Sequence, residues 1–287
     1  MKKILIQLDS DRVPSVFDAI TAYDAGADVL LQHGGIVPNE VRDLVYGAMF
    51  TRGPSDLKNT AVFIGGVNVA KGEAILRQTL AAFFTPFRVS VMLDANGCNT
   101  TATAAVVKVL SAVPVRGQKA VVLAGTGPVG QRVAALLAKE GAEVTLTSRT
   151  LERATAACDA LKERFGATAT PAAVADCSTA AGVLENASAA ICTGVEGVTL
   201  LPEAVWKNHA TLRAMADVNA VPPLGIEGTQ SHWDGQQIND KRVYGAIGIG
   251  GLKMKVHKIC IARLFERNDL ILDAEEIMVI AKELAQL

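Results

Sequence analysis

The 287-residue chain is 50% hydrophobic and 20% charged, which excludes a disordered or fibrous protein and leaves enough material for one large or two ordinary cores. A formal net charge of −1 argues against a broad electrostatic grip on nucleic acid and leaves only a local basic patch open. No apolar stretch approaches a membrane span, and the run ILIQL is too short for a signal peptide.

The elements alternate from the start. KKILIQL is a short apolar strand, Asp9 to Pro14 a turn, and SVFDAITAYDAG a helix whose start Ser15 and Asp18 can cap or line. ADVLLQHG is a second strand, NEVRDLVYGAMF a helix begun by Pro38, and TAVFIGG a third strand. A helix is predicted over 69–84, a strand over 86–94 and an alanine-rich helix over 100–110. This alternation implies a parallel or mostly parallel α/β layer. VPVRGQK reads as a connection, which places a boundary at 112/113. Beyond it come a strand from Lys119, a helix over 128–139, a strand over 142–147 and strands near 189–193 and 212–217. DVNAVPPLG and EGTQSHWDGQQIND read as loops, and GAIGIGGLKMKVHKICIARLF as a glycine-rich turn that becomes a helix. The last helix carries a capping pair, Asp273 and Glu276. The expected fold class is therefore α/β: an N-terminal α/β domain over 1–112, and a Rossmann-type doubly wound parallel-sheet domain over 113–251. The C-terminal helices of 252–287 are expected to return to the first domain.

Five scattered cysteines (Cys98, Cys158, Cys177, Cys192 and Cys260) lack CxxC pairing and read as reduced thiols of a cytoplasmic protein. His33, His209, His232 and His257 show no zinc-like spacing, so no metal site is expected.

The first stretch that carries chemistry is Gly125-Thr126-Gly127-Pro128-Val129-Gly130, between the strand AVVLA and a helix. Its glycines permit a tight turn and close approach to a pyrophosphate, and the helix N-terminus offers free N–H groups. At the end of the next strand, an NAD-binding turn usually carries a carboxylate for the ribose 2′-hydroxyl. Here stand Thr147, Ser148 and Arg149, with Arg153 one turn on. Hydroxyls and guanidinium groups suit a 2′-phosphate, so NADP is the expected cofactor, with NAD as a second. The competing reading of both arginines is ordinary solvated charge at a helix start.

A polar turn, Asp94-Ala95-Asn96-Gly97-Cys98-Asn99-Thr100-Thr101, ends a strand, where α/β proteins bind ligands. Asp94, Asn96 and Asn99 can hydrogen-bond an amide-rich heterocycle; Asn99 or Thr100 can equally cap the helix. Lys253 and His257 share a helix face. The lysine can reach into a cleft or stay solvated, and the histidine reads as structural or surface.

On the segments PSVFDAITAYDAGAD, TRG, AVFIGG, PFRVSVMLDANGCNTTATAA, VVLAGTGPVGQRVAALLAKEGAEV, NAVPPLG and GAIGIGGLKMKVHKICIARLF, the chain resembles the bacterial methylene-tetrahydromethanopterin dehydrogenases almost end to end. The resemblance implies a cleft between the two domains and a hydride transfer from methylene-tetrahydromethanopterin to NAD(P)+, in one-carbon oxidation from formaldehyde. It implies that Lys253 is the family's cleft lysine. It further implies that Ser15, Asp18 and the Asp94–Thr100 turn line the pterin side, and that Asn219 lies near the nicotinamide. Homo-oligomers, often trimers, are implied too.

Other readings stay open. One is methylene-tetrahydrofolate oxidation. A second is a shikimate-dehydrogenase-like enzyme, whose NADP-binding segment SRTLERA resembles; its acid–base lysine has only a poor counterpart in Lys71 with Glu73. A third is a nucleotide-binding sensor without catalysis.

Overall fold

The computed structural model describes residues 1–176 and 179–287, so the reading of Cys177 as a reduced thiol lies outside the described residues. The chain divides into two units, residues 1–100 with 254–280 and residues 101–253 with 281–287.

The first unit runs β1 (Ile4–Asp9), α1 (Val16–Asp24), β2 (Val29–His33), α2 (Val41–Phe50), β3 (Thr60–Gly65), α3 (Val69–Ala82), β4 (Ser90–Leu93) and the start of α4 (Cys98–Leu110). Its five strands lie in the order β12-β4-β3-β1-β2, all parallel, with β12 (Ile271–Leu272) added at the edge beside β4. Every residue of β3 and β4 is buried, as continuous apolar strands with both faces covered require. Ser15 caps α1 by accepting a hydrogen bond from the Asp18 N–H, and Asn68 caps α3 by accepting one from Lys71. The strand expected over 86–94 is shorter, because Pro86 has no N–H to give a ladder.

The second unit holds a seven-stranded sheet in the order β10-β11-β9-β8-β5-β6-β7. Its strands are β5 (Lys119–Leu123), β6 (Glu143–Ser148), β7 (Thr170–Ala173), β8 (Ala187–Cys192), β9 (Ala214–Asp217), β10 (Asp234–Ile238) and β11 (Lys241–Tyr244). All pairs are parallel except β10 with β11. Helices α5 (Pro128–Lys139), α6 (Leu151–Phe165), α7 (Ala180–Leu184) and α8 (Glu203–Trp206) connect them. A cluster around Trp206, Leu184, Leu212, Met215 and Val243 fills the core beneath β8 and β9.

Two sequence readings change. Residues 234–238 pair as β10 instead of looping, closed by a turn in which Asn239 takes φ 53°. The segment GAIGIGG is not a turn: α9 (Ala246–Arg263) begins at once. Glycine is required there because a side-chain carbon at Gly245 or Gly248 would strike the backbone oxygens of Gln230 or Trp233. The unit divisions fall within α4, α9 and α10 (Ala274–Ala285), whereas the sequence reading placed boundaries at 112/113 and 251/252. VPVRGQK is only the turn that joins α4 to β5 inside the second unit. Among the described residues, no helix is long and apolar enough to cross a membrane.

Candidate functional site

In the second unit, the glycine turn does what its sequence suggests. A side-chain carbon at Gly125 would meet Leu146 at 2.8 Å, and one at Gly130 would press on the backbone of Gly125 and on Thr193. Both glycines therefore permit close packing of helix on strand. Gly127, the N-cap of α5, has nothing within 4 Å of where a Cβ would lie. That open space is where a pyrophosphate can approach the helix N-terminus. Thr126, Pro128 and Val129 complete the turn, and Thr126 is held by the Gln131 side chain, which donates to its carbonyl at 2.9 Å.

A cavity of about 420 Å³ opens here, lined by Ala124, Thr126, Gly127, Ser148, Arg149 and Arg153, and on its other wall by Thr193, Gly194, Val195, Val198 and Leu200. No carboxylate lines it. Thr147 is not part of the wall: it is buried, and its hydroxyl accepts from the Ala124 N–H at 3.0 Å, which pins the turn to β6. The wall after β8 was not anticipated, although the apolar strand ending at Cys192 was the available signal. These residues fit a dinucleotide: an open glycine, a helix start, apolar side chains and two guanidinium groups.

Asn219 is 7% exposed, and its side chain is spent on its own loop. Its amide donates to the carbonyls of Val221 and Pro223, and its oxygen accepts from the Val221 N–H. Asn219 thus shapes the NAVPPLG loop. Burial raises the neighbouring Asp217 carboxyl, although it accepts N–H bonds from Asn219 and Ile226.

In the first unit, the carboxyl ends of β1, β3 and β4 bring together Asp9, Gly65 and Asp94. Asp94 is buried and fully engaged. It accepts from the N–H groups of Asn99 and Thr100, both at 3.0 Å, and from the Thr100 hydroxyl at 2.6 Å. Asn99 is 0% exposed; its amide donates to Leu93 O and to Asp273, 174 residues away. Asn99 and Thr100 thus take the capping role that the sequence left open: they lock the start of α4. Asn96 alone of that turn is exposed, with φ 53°.

Asp18 and Ser15, at the start of α1, are half-buried. A Cβ on Gly65 would lie 3.1 Å from Asp18 Oδ2 and 3.3 Å from Asp9 Oδ2, so two carboxylates converge over one glycine. Asp9 is itself organised by N–H groups of Asp11 and Ser15. Burial pushes the Asp18 carboxyl up to about 6, with His257 pulling it down, Asp94 and Asp9 adding to the rise and the Ser15 hydroxyl lowering it. His257 was read as structural or surface; it is 1% exposed, with Nδ1 3.3 Å from Asp94 Oδ2. Lys253 lies half-buried on α9.

A family model described as the N-terminal part of methylene-tetrahydromethanopterin dehydrogenase matches residues 16–96. Two proteins of Methylorubrum extorquens are similar over 99% of both chains: one named bifunctional protein MdtA, 48% identical, and one named NAD(P)-dependent methylenetetrahydromethanopterin dehydrogenase, 30% identical. Among solved structures, quinate dehydrogenase from Corynebacterium glutamicum in complex with NAD matches at TM-score 0.53 and 13% identity, covering 100% of both chains. A shikimate 5-dehydrogenase from Mycobacterium fortuitum matches at 0.52 and 16%, covering 98% of both. These two show a shared Rossmann-like α/β fold. With full-length relatives at 48% and 30% identity, the chain belongs to the methylene-tetrahydromethanopterin dehydrogenase family.

Proposed function

We propose that this chain oxidises methylene-tetrahydromethanopterin to methenyl-tetrahydromethanopterin with NADP, and with NAD as a poorer acceptor. The observation that carries the reaction is the end-to-end similarity to the relative named for it. The carboxylate-free cavity with Arg149 and Arg153 supports the choice of NADP.

Bound NADP+ supplies the hydride acceptor, nicotinamide C4. The substrate's methylene carbon bridges two nitrogens, whose lone pairs stabilise the cation left when hydride departs. No proton need move, so the protein's task is to orient the reactants and exclude water. Gly127 and the start of α5 would hold the pyrophosphate, Ser148, Arg149 and Arg153 would hold the 2′-phosphate, and the NAVPPLG loop, shaped by Asn219, would border the nicotinamide. Asp18, Ser15 and Asn96 are the groups of the first unit that remain open to a pterin. Lys253 orients the pterin and does not act as a base.

The chain acts in the cytoplasm as a homo-oligomer, a trimer or a multiple of one. Buried free thiols at Cys98, Cys158, Cys192 and Cys260 support the compartment. An aromatic patch supports the assembly: Tyr46, Phe50, Phe84 and Phe87 stack on one another, with Phe50 55% and Phe84 46% exposed.

The test is an absorbance assay crossing methylene-tetrahydromethanopterin and methylene-tetrahydrofolate with NADP and NAD. The fastest nicotinamide reduction is expected with the methanopterin substrate and NADP. Silence in all four mixtures, with nucleotide binding intact, would return the chain to a sensor.

A further inference from the structure

His257 is a polar side chain buried among groups that do not satisfy it. It is 1% exposed, and neither ring nitrogen makes an aligned hydrogen bond. The ring sits between Phe17 of α1, at 6.2 Å and edge-on, and Phe63 of β3, at 5.5 Å. Its Nδ1 stands 3.3 Å from Asp94 Oδ2 at the end of β4. A buried imidazole with no aligned hydrogen bond costs free energy, so its place calls for an explanation. Asp94 stands directly against it, Asp18 on α1 is coupled to it, and an oxygen of Asp9 on β1 converges with that of Asp18 over Gly65. Ser15 at the start of α1 and the Thr100 hydroxyl on Asp94 are neutral polar groups of the array, and Lys253 stands one turn earlier on the same helix.

We infer that His257 is a positioning residue: paired with Asp94 and wedged between Phe17 and Phe63, it keeps the Asp18 carboxyl anionic where the pterin is oxidised. The inference rests on the hydride-transfer reading above. Hydride loss turns a neutral substrate into a cation, so a carboxylate facing it gains interaction as the reaction proceeds. A carboxyl protonated by its own burial would gain almost none. Burial, together with Asp94 and Asp9, drives Asp18 toward that neutral form, and His257 opposes them. Asp94 thereby has two tasks, capping α4 and anchoring the imidazole.

Because no proton moves in the chemistry, an acid limb in turnover reports this array. In the wild-type enzyme, kcat should fall as pH drops through about 6, as Asp18 is protonated. His257→Gln removes the opposing group, so the limb should move to higher pH. Asp18→Asn should abolish the limb and lower kcat at neutral pH about tenfold, with a smaller change in KM. A second measurement needs no turnover. The difference in thermal midpoint between wild type and Asp18→Asn, followed across pH, should break near pH 6 and break higher when His257 is also Gln. If Gln is not accommodated, His257→Asn removes the same group and leaves a smaller side chain. An acid limb or a stability break at the same pH with and without His257 overturns the inference. Absence of any methylene-tetrahydromethanopterin oxidation by the wild type would instead sink the proposed reaction; the stability break would still decide whether His257 governs Asp18.

Discussion

The two units place a site at the same kind of position, the carboxyl ends of parallel strands, and fill it with opposite charge. The first gathers Asp9, Asp18 and Asp94 around one imidazole. The second gathers Arg149, Arg153 and a helix N-terminus, with no carboxylate on the cavity wall. The fold supplies the position in both cases; the side chains at the strand ends decide what is accepted there. Phosphates require the second arrangement. A heterocycle rich in N–H donors, and positive after oxidation, suits the first.

The largest effect should come from inverting that contrast. Arg149→Asp puts a carboxylate where the 2′-phosphate would lie and should shift the ratio of kcat/KM for NADP over NAD by about a thousandfold toward NAD. Equal losses for both cofactors would remove Arg149 from the phosphate site. Lys253→Ala should lower turnover about a hundredfold while the dissociation constant for NADP stays unchanged, as fluorescence titration would show. Unchanged turnover would take the lysine out of the site. Gly127→Ala should leave the thermal midpoint in place, because the added methyl has no protein atom within 4 Å. It should weaken both nicotinamide nucleotides about tenfold by occupying the space of the pyrophosphate; unchanged binding would refute that placement.

The smallest effect concerns the acidic region by itself. A carboxyl raised from 3.8 to about 6 by folding contributes stability that is complete below the lower value and lost as pH rises through the upper one. Asp18→Asn should therefore stabilise the protein at pH 7, by about 1–2 kcal/mol once solvent screening is allowed for. The gain should vanish below the ordinary carboxylate range. A melt showing destabilisation at pH 7 would contradict it.

The candidate nucleotide site was legible in the sequence because it is local. Strand, glycine turn, helix and second strand follow within residues 119–153, and the missing carboxylate is visible at Ser148-Arg149. The substrate side was only half legible. The polar turn after β4 could be seen, but not which of its groups face inward, since the partners of Asp94 and Asn99 come from His257 and Asp273. The same distance hid His257, which has no motif of its own. Only the start of α6 was read, at Arg149 and Arg153; its extent was not, although Thr150 caps it and Gly166 ends it at φ 63°. The polar strand DGQQI offered no apolar alternation, as an edge strand need not.

The placement of residues 254–280 in the first unit has a consequence for biosynthesis. The ribosome releases residues 1–100 before residues 254–280, so until the latter emerge the sheet lacks β12 beside β4 and the core lacks Val256, Cys260, Ile261, Leu264 and Ile277. Asn99 likewise waits for Asp273. At about 5–20 residues per second, the half made first is the half finished last, and the β4 edge stays open throughout that interval. A nascent chain arrested after residue 253 would hold the second unit's strands complete beside a first unit still short of its closing strand.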